Sequence, residues 1–305
     1  MSSARINNSV YNTLGDRWYQ AYDDPIALLR AESRLLGPWI LKTMREKELL
    51  SPHVIDLGCG GGFISNFLAR NDCQVTGVDL SLESLEVARK YDETSKVRYL
   101  QRDVCKTGFP DKSFDVAVSC DVLEHVENPR LVVEEARRLL KPGGLFFFHT
   151  FNRTLLSKLV TIKLVEVLVK NTPRYLHVHS MFIQPKELET WCLRAGFSSC
   201  VFFGVRPSLA SLLDPSVFRG VVPKNLAFKF CKSMLNSYAG FAVGNLERKP
   251  LGARRWFGGN CAAGSSKKSG GGDASLAPPN PPLPICPKWL THYLRSFLQT
   301  PCSKA

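Results

Sequence analysis

The chain contains the segment Val54-Ile55-Asp56-Leu57-Gly58-Cys59-Gly60-Gly61-Gly62, an apolar run that ends in a carboxylate and passes into a glycine-dense turn. Residues 63–70 then have the pattern of a helix. Glycine suits such a turn because it lets a chain leave a buried strand sharply and lets the backbone approach a ligand. A second apolar run at 73–79 ends in Asp79, about 20 residues past the turn, where α/β sheets hold a ribose. The segment therefore predicts a nucleoside pocket.

The alternation of strands and helices continues beyond this unit. Helices are predicted at 81–90 and 129–140, and strands at 97–100, 114–119 and 145–148. The last strand is apolar throughout, as expected for a strand buried on both faces of a parallel sheet. We therefore predict an α/β fold with a doubly wound, mostly parallel sheet and ligands at the carboxyl ends of its strands.

The chain divides into four predicted parts. Residues 1–45 are predicted to form an N-terminal helical cap, and residues 46–205 the α/β domain, with an amphipathic helical insertion at about 154–183. Residues 206–244 are interpreted as an extension. Residues 245–305 are basic and rich in glycine and proline, which predicts disorder apart from a short docking helix at 289–298.

Composition narrows the class of protein. The chain has 305 residues, 44% of them hydrophobic, which is enough for one α/β domain with additions. Its ten cysteines include no Cys-x-x-Cys pair, which argues against a zinc site or a disulfide scaffold and favours a reducing compartment. No signal peptide or membrane-spanning run is apparent. We expect a protein on the cytoplasmic side, and a mitochondrial matrix location is also compatible.

The net charge of +13 invites a nucleic-acid interpretation, but its distribution weakens it. From Asn245 onward there are nine basic and two acidic residues, so +7 of the charge lies in the tail. The predicted domain lacks the interleaved basic and aromatic residues that stack on bases. We therefore expect no nucleic-acid partner.

Residues 155–170 predict a basic, strongly amphipathic helix. Leu156, Val160, Leu164, Val167 and Leu168 share one stripe. Such a helix either packs on the protein core or lies in a membrane interface.

The turn at 56–62 resembles the cofactor loop of S-adenosylmethionine-dependent methyltransferases of the Rossmann-like class. The resemblance implies that Asp56, Gly58 and Gly60 lie beside the amino-acid part of S-adenosylmethionine. It implies that Asp79 takes the ribose hydroxyls, since an ionised carboxylate accepts two hydrogen bonds at once, and that Asp103 accepts from the adenine amino group. Helix capping is the alternative role for a single strand-end aspartate. Three aspartates at successive strand ends favour cofactor binding over helix capping.

A second acidic group follows the strand at 114–119. Asp121, Glu124 and His125 are spaced at i, i+3 and i+4, which places them on one face if the segment is helical. Two carboxylates and an imidazole suit a hard or borderline divalent cation. The alternative is that Glu124 and His125 line the cofactor pocket or pair internally.

Several motifs together resemble the ubiquinone-biosynthesis O-methyltransferase family over about residues 10–205. They are an N-terminal segment with Arg-Trp-Tyr, Asp-Pro and Leu-Arg, the turn at 56–62, Val-Leu-Glu-His-Val at 122–126, Lys-Pro-Gly-Gly at 141–144 and Phe147-Phe148-His149-Thr150-Phe151-Asn152-Arg153. By position, the family's cofactor contacts fall on Arg34, Gly58, Asp79 and Cys120, and its metal ligands on Asp121, Glu124 and His125. Asp121 stands where a longer Glu is common.

The resemblance implies magnesium-dependent methylation of a hydroxyl on a polyprenylated phenol or catechol. It implies membrane contact through residues 154–183, and other proteins of the ubiquinone pathway as partners. Without a metal, His125 or His149 would be the general base, having a suitable intrinsic pKa, although a structural role is an equal alternative for His149. Competing functions are methylation of a sterol, a small phenol or a carbon nucleophile, RNA methylation, or a non-catalytic cofactor-binding scaffold.

Overall fold

A computed structural model describes residues 6–246 of the chain. The predictions for the tail from residue 247 onward, including the helix at 289–298, lie outside the described residues.

Within residues 6–246, eight strands form one sheet. In chain order they are β1 (His53–Leu57), β2 (Gln74–Asp79), β3 (Arg98–Gln101), β4 (Phe114–Cys120), β5 (Leu140–Phe151), β6 (Phe197–Pro207), β7 (Phe228–Cys231) and β8 (Ser237–Gly244). Their order across the sheet is β3-β2-β1-β4-β5-β8-β6-β7. Strands β1 to β5 pair in parallel, and β8 runs antiparallel between β5 and β6. The prediction of a doubly wound, mostly parallel sheet is confirmed.

The helices lie between these strands and before them. In chain order they are α1 (Arg17–Gln20), α2 (Ile26–Glu46), α3 (Phe63–Ala69), α4 (Leu82–Lys90), α5 (Pro129–Leu139), α6 (Leu155–Ser157), α7 (Val165–Leu168), α8 (Pro185–Ala195) and α9 (Leu209–Leu212). Short 3-10 turns occur at Asn8–Asn12, Leu123–His125, His179–Met181 and Pro215–Arg219, and a π-helical turn at Lys158–Leu164 joins α6 to α7. None of the described helices has the length and apolar character needed to span a bilayer.

The phenylalanines of β5 explain why helices cover both faces of the sheet. Successive residues of a strand point to opposite faces. Phe146 and Phe148 therefore share one face, where they belong to the core cluster that includes residues of α5 and α8. Phe147 points to the other face and meets Trp39 of α2, with ring centroids 5.3 Å apart. The sheet is thus buried between two helical layers.

The sequence interpretation of residues 206–244 as an extension is corrected by the sheet. Strand β8 pairs with β5 on one side and β6 on the other, so it lies inside the sheet. Tyr238 and Phe241 of β8 are completely buried. The reason is hydrogen bonding: without β8, the inner edges of β5 and β6 would have no backbone partners.

The insertion after β5 is helical from Leu155 to Leu168, as predicted, but its exposed side is apolar. Leu155, Leu159 and Val167 are 84%, 61% and 78% exposed, respectively. Ser157 and Thr161 are buried, and Val165 packs against a core cluster that includes Ala27 and Ala31. Thr161 donates to the Asn236 side chain over 3.1 Å.

Candidate functional site

The glycine turn after β1 is held by hydrogen bonds to the neighbouring strand and by close packing. The backbone amides of Gly58 and Cys59 both donate to the Val78 carbonyl of β2, over 2.8 and 3.0 Å. Gly58 and Gly60 have φ angles of +78° and +50°, which favour glycine. A Cβ at Gly60 would lie 2.6 Å from the ring of Trp18. The turn can therefore keep this shape only with glycine at positions 58 and 60.

Two strand-end carboxylates lie beside the turn. Asp79 accepts from the amide of Gly60 on one oxygen and from the amide of Ser81 on the other, each over 2.9 Å. Asp56 is buried and accepts from the Ser65 hydroxyl over 2.6 Å. Burial raises the pKa of Asp56 to about 6. Asp79 thus links the glycine turn to the start of α4.

A cavity of about 340 Å³ opens over these groups. Its volume lies in the range of small-molecule sites, about 300–1,000 Å³. The sequence-predicted residues that line it are Asp56, Gly58, Gly60, Asp79, Cys120, Asp121 and His125. They come from the ends of β1, β2 and β4, as expected for a ligand site at the carboxyl edge of a parallel sheet.

Two predicted cofactor contacts do not line this cavity. The Arg34 guanidinium donates to the carbonyl of Leu226 over 3.1 Å, because that side of α2 faces the segment before β7. Asp103 is exposed and accepts from the amide of Cys105 over 2.8 Å, closing a local turn. Its neighbour Val104 lines the cavity in its place. The positional assignments of Arg34 and Asp103 are therefore not supported by the geometry of the described chain.

The helix predicted from Asp121 to His125 is corrected by the structure. Asp121 has a φ angle of +57°, so it lies in the left-handed region and is not helical. A 3-10 turn begins only at Leu123. Asp121 and Glu124 therefore do not share a helix face.

The predicted metal ligands diverge as a result. Within the described chain, the donor atoms of Asp121, Glu124 and His125 do not all lie within 4.8 Å of one another. Glu124 accepts from the Thr150 hydroxyl over 2.8 Å, and the His125 ring turns to Asn8. This trio does not fit a metal ion, and no step of the reaction is derived through one.

The side chain of Asn8 determines the tautomer of His125. The amide nitrogen of Asn8 donates to the His125 carbonyl over 2.9 Å, so the amide oxygen is the atom that faces His125 Nδ1, 3.0 Å away. That oxygen can only accept, so Nδ1 carries the proton and Nε2 keeps a lone pair. Burial, opposed by the charge of Asp121, lowers the pKa of His125 to about 4. His125 is therefore neutral at pH 7, with an acceptor nitrogen.

His149 differs from His125 in its pKa and in its position relative to the cavity. It is completely buried at the end of β5, and its Nδ1 lies 2.7 Å from a carboxylate oxygen of Asp121. Burial alone would lower its pKa, but the charges of Asp121, Glu32 and Glu124 raise it to about 9. His149 does not line the cavity in the described chain. A protonated imidazole outside the cavity is poorly suited to act as a general base.

Glu32 joins this buried group, although the sequence analysis did not single it out. It lies on α2 and is 4% exposed. Its carboxylate comes within 4.8 Å of donor atoms of Asp121 and His149. Burial, with the charges of Asp121 and Glu124, raises the pKa of Glu32. The sequence did contain a sign of this position. Glu32 stands four residues from both Leu28 and Leu36, so a helix places this acid on an apolar stripe.

Three residues before α2 were also missed. Asn8, Tyr11 and Trp18 all line the cavity. Tyr11 and Trp18 stack with ring centroids 5.8 Å apart. Trp18 belongs to the Arg-Trp-Tyr motif of the family resemblance, but that motif assigned it no role, and nothing in the sequence marked Asn8 or Tyr11.

Known proteins resemble the chain over this same region. Residues 55–148 match a family model described as a methyltransferase domain. The chain is 38% identical over 167 residues to a ubiquinone biosynthesis O-methyltransferase of Actinobacillus pleuropneumoniae, covering 52% of this chain and 71% of that protein. It is 39% identical over 158 residues to one from Vibrio cholerae, covering 50% of this chain and 64% of that protein.

One similar protein has a solved structure. The crystal structure of an S-adenosylmethionine-dependent methyltransferase from Thermotoga maritima is 20% identical, with 75% of this chain and 93% of that chain covered and a TM-score of 0.49. The family assignment comes from the sequence relatives, because 38% identity extends over most of the Actinobacillus protein. The chain therefore belongs to the ubiquinone biosynthesis O-methyltransferase family of S-adenosylmethionine-dependent methyltransferases.

Proposed function

We propose that this chain transfers the methyl group of S-adenosylmethionine to a hydroxyl of a polyprenylated phenol or catechol in ubiquinone biosynthesis. The observation that carries the proposal is that one cavity is lined both by the glycine turn and by His125. Family membership supports O-methylation in ubiquinone biosynthesis.

The cofactor is assigned to the glycine turn and Asp79. Each oxygen of Asp79 accepts one backbone hydrogen bond and retains a lone pair for a ribose hydroxyl. Cys120 lines the cavity from the end of β4, where burial raises the pKa of its thiol. Cys120 is therefore a neutral, apolar wall.

The chain's part in the chemistry is to hold the acceptor and take one proton. The acceptor oxygen attacks the methyl carbon opposite the sulfur, so an O–C bond forms as the C–S bond breaks. The sulfonium becomes a neutral thioether, and the hydroxyl proton passes to His125 Nε2. Alignment of the two reactants supplies much of the rate, since it removes the entropy cost of bringing them together.

The direct test supplies methyl-labelled S-adenosylmethionine with two catechols that share a head group. One carries a polyprenyl tail and the other does not. We expect labelled methyl ether from both, with a higher kcat/KM for the tailed compound. Cofactor binding without label transfer to either compound would contradict the proposal, and a preference for the tail-free catechol would replace the acceptor class with small phenols.

We also propose that the segment 154–183 contacts a membrane surface. The apolar exposed side of helices α6 to α7 supports this, because the side chains of Leu155, Leu159 and Val167 are mostly exposed. Lys158, Lys163 and Lys170 are exposed on the same segment. Exposed apolar groups beside lysines match an anionic lipid surface.

Vesicle sedimentation tests this second proposal. The full chain is mixed with phosphatidylcholine vesicles that contain an anionic lipid. A variant with Leu155→Ser, Leu159→Ser and Val167→Ser should lose most of the binding, while Leu50→Ser should not. Leu50 is a matched control because it is 80% exposed just before β1. Equal binding by both variants would show that this segment is not the contact.

A further inference from the structure

We propose that Glu32, Asp121 and His149 form a site for a divalent cation beside the cofactor cavity, in place of the trio at 121, 124 and 125. Nothing in the proposal depends on the acceptor, because cation binding is measured without methyl transfer.

The three residues come from separate elements that meet at one point. Glu32 is on α2, Asp121 follows β4, and His149 is on β5 opposite Cys120 in the parallel register. One donor atom from each residue lies within 4.8 Å of the other two. Glu32 and His149 are buried, and Asp121 also lines the cavity. A cation held here would therefore lie at the cavity wall.

Unpartnered polar atoms in the same group are the second observation. Glu124 Oε1 and His149 Nε2 are buried and have no hydrogen-bond partner among the described residues. Both side chains are completely buried. Buried polar atoms are nearly always paired in native proteins, so orphaned ones call for an ion or a bound group.

The carboxyl groups of this cluster match the charge of a divalent cation. Asp121 lies 2.7 Å from His149 Nδ1, and Glu124 accepts from the Thr150 hydroxyl over 2.8 Å. Two carboxylates bound to one divalent cation leave no net charge inside the protein, where an unpaired charge is costly.

The donor types also fit. Two carboxylates and one imidazole suit ions such as Mg²⁺ or Mn²⁺. Glu32 reaches Asp121 from α2. The left-handed backbone at Asp121 directs its side chain to His149, and the His125 ring is held by Asn8.

The test titrates the full chain with Mn²⁺ alone, after treatment with a chelator, and counts free Mn²⁺ by electron paramagnetic resonance. The unmodified chain should bind one ion. Loss of a residue that only hydrogen-bonds to a metal ligand costs about 10- to 100-fold in metal affinity. Because Glu32 would itself be a ligand, Glu32→Gln should weaken Mn²⁺ binding at least ten-fold. The matched control is Glu127→Gln, which removes the same charge from an exposed residue near the site and should bind as the unmodified chain does.

A thermal measurement keeps the proposal testable if Glu32→Gln changes folding. A ligand that binds only the native state raises Tm. Mn²⁺ should raise the Tm of the unmodified chain and of Glu127→Gln, and it should raise that of Glu32→Gln much less. Glu32→Asp, which keeps the charge, should have an intermediate affinity.

Three results would overturn the proposal. They are absence of saturable Mn²⁺ binding, unchanged affinity in Glu32→Gln, and loss of binding in His125→Asn with Glu32→Gln unaffected. The last result would restore the site predicted from the sequence. None of these results bears on methyl transfer, so each is distinguishable from failure of the proposed function.

Discussion

At the scale of single residues, His125 owes its tautomer to Asn8. The Asn8 amide contacts both the His125 carbonyl and its ring, which leaves Nε2 as the acceptor. The role of His125 as proton acceptor remains a proposal. The proposal rests on the observation that His125 lines the cavity.

Replacement of His125 tests that role. Removing a general base typically costs about 10²- to 10⁴-fold in rate, so we expect His125→Asn to lower kcat within that range. The dissociation constant of S-adenosylmethionine, measured by calorimetry, should change little. The control is His53→Asn, an exposed residue at the start of β1. Similar kcat values for the two variants would remove His125 from the chemistry.

Gly60 supports a second prediction at this scale. An alanine there would be strained by its φ of +50° and would also meet the Trp18 ring at 2.6 Å. Left-handed strain alone costs about 1–2 kcal/mol. The control is Gly108→Ala, at a φ of +77° with open space around it. We expect urea unfolding to show a larger loss of stability for Gly60→Ala, together with weaker cofactor binding. Equal losses would mean that Trp18 moves aside freely.

At the scale of elements, the helical insertion is held at its start by Thr154. The Thr154 hydroxyl accepts from the amide of Ser157 over 3.0 Å and donates to the Leu235 carbonyl over 2.6 Å. This capping box anchors the first turn of the helical insertion, whose exposed side is apolar.

Thr154→Ala should therefore loosen the insertion without unfolding the domain. Loss of an N-cap costs about 1 kcal/mol. Hydrogen exchange should become faster over residues 155–168 and stay unchanged in α4, whose own cap is Ser81. Ser81→Ala is the matched control, and it should speed exchange in α4 and leave residues 155–168 unchanged. Uniform acceleration in both elements would show that the insertion does not open independently.

At the scale of the whole molecule, two half-buried histidines contribute to the pH dependence of stability. Desolvation by their surroundings lowers the pKa of His125 to about 4 and that of His177 to about 3, against an ordinary value of 6.5. Between about pH 6.5 and pH 4 the unfolded chain therefore binds protons on these histidines that the folded chain does not. Each histidine should lower stability as the pH falls through this range, by at most about 1.4 kcal/mol per pH unit. Carboxyl groups whose pKa is raised by burial, such as Asp56, act in the opposite direction, so the effect of one histidine is measured as a difference between two chains.

Urea unfolding between pH 7 and pH 5 measures the contribution of His177. His177→Phe keeps a ring beside Phe151 and removes one titrating group, so the stability of the variant relative to the unmodified chain should rise as the pH falls. Other ionisable groups are shared by both chains and do not affect the difference. Parallel curves would show that His177 is protonated in the folded state.

Much of this architecture could be predicted because its signals are local. Asp79 follows an apolar run, and the carboxyl ends of parallel strands meet at one edge, so its place in the cavity followed from the pattern. Tyr238 and Phe241 were not assigned to the sheet, because β8 joins it through pairing with distant strands. The left-handed backbone of Asp121 likewise has no signal in residues 121–125, where helical spacing was the simplest interpretation.

The sequence by itself determined the doubly wound sheet, the glycine turn and the family, because each depends on residue types at short, regular spacings. Only the tertiary structure decided which side chains meet. Glu32 reaches Asp121 and His149 because α2 packs across the sheet, and His125 turns to Asn8 because the N-terminal segment covers the cavity. Contacts between distant segments depend on packing, and spacing along the chain does not encode them.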